Sequence, residues 1–122
     1  MHLVSGWTEA DRYRQYMIAT DVGIQLRTHG FGGLSGALMD CIAAGVPVVA
    51  NVDLADSMES PAFVRRVPDV LNPIDIADAV AEQLSKVASY RAREHEAQRA
   101  EYVRSRSPER YAELFMRELR LV

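Results

Sequence analysis

The sequence predicts an α/β fold in which a mostly parallel sheet of about four strands is flanked by helices. The main observation is the stretch of residues 20–51, where two apolar runs enclose a glycine-containing loop and a helical run. Two parallel strands joined by a crossover helix have this order. The second observation is that two more short apolar segments, residues 2–4 and 63–67, lie beside further helical stretches and add candidate strands.

The central unit carries a signal at each of its boundaries. Residues 22–26 have the length and content of a buried strand, and Ser35 stands where an N-cap is expected before the helical run 37–44. Gly45 suits the left-handed position just past a helix end. Residues 48–50 then provide the second buried strand.

The other elements are predicted from capping residues and apolar periodicity. Thr8 is a favourable N-cap for a first helix, and Asn72 and Ser107, each followed by proline, are favourable N-caps for later helices. Residues 63–67 read as an edge strand with its charges outward. The apolar positions expected to pack on the core are Tyr13, Tyr16 and Met17 in the first helix, Ile76, Val80, Leu84 and Val87 after Asn72, and Tyr111, Leu114, Phe115 and Leu119 in the last helix.

Two charged segments are predicted to face solvent. We expect residues 52–60 to form a polar loop, whose acids Asp53, Asp56 and Glu59 are spaced for a solvated loop and not for a metal site. Residues 89–104 interleave opposite charges, which is typical of an exposed helix, and His95 is therefore expected to be a surface residue.

Composition limits the possible functions. At 122 residues and a net charge of -3, the chain is one domain at most and has no basic excess that favours nucleic acid as a partner. It has no apolar run long enough to cross a bilayer and no signal-peptide pattern. The single cysteine, Cys41, cannot form an internal disulfide and is expected to be a small buried residue. These features favour a cytoplasmic location.

The loop before Ser35 indicates anion binding. A helix leaves its first backbone N–H groups unpaired at the positive end of its dipole. Gly30, Gly32 and Gly33 would let a phosphate approach that backbone. The spacing is not the dinucleotide fingerprint, and no lysine precedes the helix as in a Walker A loop. The alternative, that the glycines only shape a long loop, remains open.

Three segments, TDVGIQLR, G-x-SGALMD and AAGVPVVAN, resemble in order the C-terminal, donor-binding domain of the retaining GT-B glycosyltransferases. The resemblance continues upstream through residues 4–7 and downstream through residues 72–84. It implies that residues 1–122 are a single partial Rossmann-like domain, a three-layer sandwich, from a larger hexosyltransferase-type enzyme. Such an enzyme transfers a sugar from a nucleoside-diphosphate sugar to an acceptor with retention.

The resemblance also implies the binding residues. In that family the corresponding loop and helix hold the donor diphosphate, and an acid in the helix contacts the ribose. Asp40 matches that acid, and Trp7 lies in the loop near the nucleotide base. Arg27 either pairs with a phosphate or makes a surface ion pair. The residues implied to contact the nucleotide sugar are Trp7, Arg27, Gly33, Leu34, Ser35, Gly36, Ala37 and Asp40; no catalytic residue, metal ligand or cofactor beyond the donor substrate is implied.

One family feature has no counterpart here. The family usually carries a second acid eight positions before the ribose acid, associated with the donor sugar, and that position falls at Gly32 or Gly33. His29 is the nearby loop side chain able to take up a proton near neutral pH, or it is a plain loop histidine. Loss of the acid also fits a different class of protein, a non-catalytic α/β ligand-sensing or interaction module.

The resemblance further implies missing partners. The family's basic residues and its acceptor domain would precede Met1, so we expect the chain alone to be inactive. In the strand order 3-2-1-4-5-6, residues 2–4 are strand three and residues 22–26 are strand four, which leaves two strands absent between them. Because unpaired buried backbone is unfavourable, we expect a homodimer or a re-paired N-terminal strand at this edge.

Overall fold

The computed structural model describes residues 6–28 and 34–119, so the strand predicted at residues 2–4 lies outside the described residues. Three strands form one parallel sheet in the order β1 (Gly23–Gln25), β2 (Val48–Asn51) and β3 (Arg65–Val67). The described helices are α1 (Ala10–Ala19), α2 (Gly36–Ala44), α3 (Val52–Ser57), α4 (Pro73–Ser85), α5 (Val87–Arg91), α6 (Glu96–Ser105) and α7 (Pro108–Glu118). The predicted α/β class with a parallel sheet is confirmed, and the described residues form three of the roughly four predicted strands.

Side chains of β2 alternate between two cores, as the pleat requires. Val48 and Ala50 join a cluster with Leu38 and Ile42 of α2. Val49 joins Val67 and Ala79 of α4 in a second cluster. Helices therefore cover both faces of the sheet.

The outer edge of β1 is incompletely covered. Ile24 is in register with Val49 and so faces the α4 side of the sheet, yet it is 47% exposed. Helix α4 contacts β2 and β3, and the described residues cover Ile24 of β1 only in part. In the part of the chain that the structure describes, β1 pairs only with β2, and the expected homodimer or re-paired strand stays a prediction.

The boundaries of the central unit are confirmed. The Ser35 side chain accepts a hydrogen bond from the Leu38 amide at 3.2 Å, so it is the N-cap of α2. Gly45 ends the helix with a φ of 72°, the left-handed conformation that favours glycine. Cys41 is buried in the helix, as predicted.

The prediction of a polar loop at residues 52–60 is wrong, because the first part of this segment forms helix α3. Leu54, Ala55 and Met58 are buried at helical spacing, which the surrounding acids obscure in the sequence. Asp56 pairs with Arg66, and Glu59 pairs with Arg106.

The apolar stripe predicted for α4 is only partly correct. Asn72 caps the helix, and its Oδ1 accepts a hydrogen bond from the Ile74 amide at 2.8 Å. Steps of four drift by about 40° per step on a helix of 3.6 residues per turn. Leu84 is consequently 51% exposed, and Gln83 is fully buried in its place. Its Nε2 donates to the carbonyl oxygens of Val48 at 2.8 Å and of Phe63 at 3.1 Å.

Helix α1 begins later and packs less than predicted. Its N-cap is Glu9 and not Thr8, and the Glu9 side chain makes no capping hydrogen bond. Met17 packs against the core, whereas Tyr13 and Tyr16 remain exposed.

The long helix predicted at residues 89–104 is interrupted. Helix α5 ends at Arg91, and Arg93 adopts a φ of 58° before α6 begins. His95 is half-buried and not a surface residue: its ring centroid lies 4.6 Å from that of Tyr90 and 5.4 Å from that of Phe63.

The last helix, α7, is capped as predicted, because the Ser107 hydroxyl accepts a hydrogen bond from the Arg110 amide at 3.2 Å. Its apolar side does not pack on the core as expected. Tyr111, Phe115 and Leu119 are all exposed, and α7 contains no buried residue.

Candidate functional site

A chain of hydrogen bonds joins the carboxyl ends of the three strands. Arg27 follows β1, Asn51 ends β2, and Asp69 follows β3. The Arg27 amide donates to Asn51 Oδ1 at 2.8 Å, and Asn51 Nδ2 donates to Asp69 Oδ1 at 2.8 Å. In parallel sheets, ligands bind outside this edge.

Two of the helices that begin at this edge have first-turn amides held by the chain's own side chains. In α3, the Asp53 amide donates to Asp69 Oδ1 at 2.8 Å. In α4, the Ile74 amide donates to Asn72 Oδ1. The hydrogen bonds from Asn51 and from the Asp53 amide lower the pKa of Asp69, so the carboxylate stays charged at this helix end.

Helix α2 differs at its first two residues. Gly36 and Ala37 are exposed, and within residues 6–28 and 34–119 their amides have no hydrogen-bond partner. Apart from its chain neighbours and its own helix backbone, no described residue has an atom within 4 Å of where a Cβ at Gly36 would stand. The amides on either side of these two do form hydrogen bonds: the Leu38 amide donates to Ser35 Oγ, and the Ser35 amide donates to Met58 Sδ at 3.3 Å.

Asp40 lies on the same face of α2 as these amides. It follows Gly36 by four residues and Ala37 by three, which places it one helical turn further along. The Cα–Cβ bonds of a helix tilt toward its N-terminus, which directs the Asp40 side chain toward the first turn of α2. Asp40 is exposed, and its Oδ2 accepts a hydrogen bond from the Tyr13 hydroxyl at 2.9 Å.

Arg27 stands beside the start of α2. One guanidinium nitrogen donates to the Leu34 carbonyl oxygen at 3.0 Å, and Leu34 itself is exposed. The described residues include no ion-pair partner for Arg27. Its guanidinium therefore adds positive charge near the Gly36 amide.

The positions of Trp7 and Gly33, the other residues implied by the resemblance, do not test their implied roles. Trp7 precedes α1 and is 95% exposed. Gly33 lies outside the described residues, as do Gly30, Gly32 and His29. The structure thus brings together Arg27, Leu34, Ser35, Gly36, Ala37 and Asp40 at the start of α2.

Sequence patterns do not identify three residues of this region. For Tyr13 the helical periodicity predicts only a packing role. Asn51 ends the apolar run VVAN, and a polar residue at the carboxyl end of a buried strand was the available signal. Asp69 follows the short strand β3, where no local pattern in the sequence marks it as part of a site.

Metal and thiol chemistry find no support in the described part of the chain. No group of three or more His, Cys, Asp or Glu residues there is placed to hold a metal ion. Burial raises the pKa of the Cys41 thiol to about 11, so it is a neutral core group. No described helix is long and apolar enough to cross a membrane.

A cavity of about 370 Å³ lies at the opposite, amino edge of the sheet. Its lining includes Thr20 and Pro47, which precede β1 and β2. Two of its arginines are already paired, Arg91 with Asp21 and Arg99 with Glu96. This cavity is separate from the start of α2.

Comparisons with protein-family models, with curated proteins and with solved structures find no match to this chain.

Proposed function

We propose that this chain is the donor-binding portion of a retaining GT-B glycosyltransferase and binds a nucleoside-diphosphate sugar at the start of α2. One observation carries the proposal. The amides of Gly36 and Ala37 have no hydrogen-bond partner among the described residues, and Asp40 lies one turn away on the same exposed face. Donors for a diphosphate and an acceptor for ribose hydroxyls thus lie side by side.

Electrostatics supports one orientation of the nucleotide. The positive end of the α2 dipole and the Arg27 guanidinium attract the diphosphate to the helix start. The Asp40 carboxylate repels phosphate but accepts hydrogen bonds from neutral hydroxyls. The diphosphate is therefore expected at Gly36 and Ala37, with the ribose at Asp40.

Binding alone does not make this site catalytic. Neutralising the charge that develops on the leaving diphosphate is a large part of sugar transfer, and Arg27 is the one cationic group at the start of α2 among the described residues. The remaining cations and the acceptor would come from a second domain. We therefore expect no sugar transfer by this chain alone.

Titration with uridine, adenosine and guanosine diphosphates tests the proposal. Trp7 is the chain's single tryptophan, so its fluorescence reports on one exposed site. We expect saturable binding of at least one nucleotide. Asp40→Ala should weaken it by about tenfold or more, the effect of losing a hydrogen bond to a charged group.

Asp78→Ala, at an exposed position of α4, is the matched control and should bind as the wild type does. No binding at millimolar nucleotide would refute the proposal.

A non-catalytic interaction module is a second candidate, favoured by a different observation. Leu34, Val52, Val70 and Ile74 are exposed apolar residues near the carboxyl edge, and apolar residues that form one contiguous exposed patch mark protein interaction sites. This candidate is supported if no nucleotide binds and sedimentation velocity detects self-association that Val70→Asp abolishes. A monomer that binds nucleotide would exclude it.

A further inference from the structure

The Tyr13 hydroxyl and the Asp40 carboxylate join two helices at the proposed nucleotide site. The hydroxyl of Tyr13 in α1 donates to Oδ2 of Asp40 in α2 at 2.9 Å. Both side chains are solvent-exposed. The contact is therefore within reach of a ligand at the start of α2 and is not part of the buried core.

The hydrogen bond from Tyr13 occupies only part of the acceptor positions of the Asp40 carboxylate. A carboxylate has two oxygens and about four acceptor positions. Tyr13 uses one position on Oδ2, and Oδ1 has no partner among the described residues. Asp40 can accept ribose hydroxyls without releasing Tyr13.

The contact also restricts the carboxylate's orientation. An exposed aspartate on a helix samples several rotamers. If a contact within the protein already restricts it to fewer rotamers, less conformational entropy is lost when the ligand binds. The hydroxyl bond from α1 selects the rotamers that keep Oδ2 beside Tyr13. Partial burial, and then the hydrogen bond to Asp40, raise the pKa of Tyr13, so the phenol stays a donor at neutral pH.

We propose that Tyr13 is a positioning residue, which holds the Asp40 carboxylate in the orientation that receives the ribose hydroxyls of a nucleoside diphosphate. The inference rests on the proposed function and adds a residue that lies outside the strand–helix unit of residues 20–51. It gives α1 a role in recognition of the ribose but not of the diphosphate.

Tyr13→Phe removes the hydroxyl alone. Tyr16→Phe is its matched control, because the two tyrosines lie on the same helix and are 38% and 40% exposed. The Tyr16 hydroxyl makes no hydrogen bond to a described residue. Both variants should keep the wild-type stability, as exposed substitutions usually do.

Isothermal titration calorimetry would compare three probes: a ribonucleoside diphosphate, its 2′,3′-dideoxy analogue and inorganic diphosphate. Tyr13→Phe should weaken ribonucleotide binding about three- to tenfold, the range of one hydrogen bond. Binding of the dideoxy analogue and of inorganic diphosphate should not change. Tyr16→Phe should match the wild type with every probe.

A double-mutant comparison completes the test. In an Asp40→Ala background, Tyr13→Phe should cause no further loss, because the group that it positions is gone. Equal weakening of all three probes would overturn the inference by making Tyr13 merely structural, and unchanged or tighter ribonucleotide binding would overturn it as well. If the wild type binds none of the probes, the proposed function itself fails.

Discussion

Gly23 of β1 lies so close to Cys41 of α2 that a Cβ at residue 23 would stand 2.8 Å from the Cys41 Sγ. Real Cβ atoms essentially never approach a heavy atom this closely. The absence of a side chain at residue 23 thus sets how near α2 lies to the sheet. The same helix carries the Gly36 and Ala37 amides, so this contact also sets their position at the carboxyl edge.

Gly23→Ala should therefore lower the free energy of unfolding by about 1–3 kcal/mol, the usual cost of overpacking a core. Urea unfolding would measure it. Combining Gly23→Ala with Cys41→Ala should recover part of the loss, since the clashing sulfur is removed. Gly36→Ala is the control and should change stability by less than about 0.5 kcal/mol. Equal effects at the two glycines would contradict the packing described here.

Ionisation of the Cys41 thiol should lower the free energy of unfolding at alkaline pH. Burial raises its pKa from 9.0 to about 11. The unfolded chain then loses the thiol proton at lower pH than the folded chain does, so the free energy of unfolding falls as pH rises through this window. Urea unfolding across the window should give a shallower decrease for Cys41→Ala. Identical slopes would exclude this role for Cys41.

Removing the charge at residue 40 should lower the pKa of Tyr13. The Asp40 carboxylate accepts the phenol's hydrogen bond and disfavours the phenolate, and both effects raise that pKa beyond what burial does. Ultraviolet difference titration of Asp40→Asn against the wild type would detect the shift, with Tyr13→Phe identifying the signal. Superimposable titrations would mean that the two side chains do not meet in solution.

Gln83 and Leu84 offer a comparison between a buried amide and an exposed leucine. Gln83→Ala removes two hydrogen bonds and leaves a cavity, so it should lower the free energy of unfolding by about 2–4 kcal/mol. Leu84→Ala should change it by less than about 0.5 kcal/mol. Thermal and urea unfolding would rank the two variants. A larger effect at Leu84 would contradict the orientation of α4.

The elements predicted correctly are those whose boundaries depend on local chemistry. Ser35, Gly45 and Asn72 are capping residues whose effect acts within one turn, so they are visible in the sequence alone. The prediction that Leu84 packs on the core is wrong because it follows the apolar residue type. The 3.6-residue period of the helix places Gln83 on the buried face. Helix α3 was missed because acids surround its buried residues.

The candidate site was predictable along α2 but not across elements. Asp40 and the first amides of α2 lie within one helix, so their spacing follows from the sequence. Tyr13 reaches Asp40 across 27 residues, and Asp69 reaches Asn51 across 18 residues. These contacts depend on how helices and strands pack, and no local pattern encodes that packing.

Binding of a nucleoside diphosphate at the start of α2 can be observed directly at the backbone amides of Gly36 and Ala37, by ¹⁵N-edited NMR during a titration. We expect saturable shifts of both amides, with smaller shifts at Asp40 and Tyr13. Shifts confined to the arginine-lined cavity at the amino edge, or no shift at millimolar nucleotide, would show that the start of α2 is not the binding site.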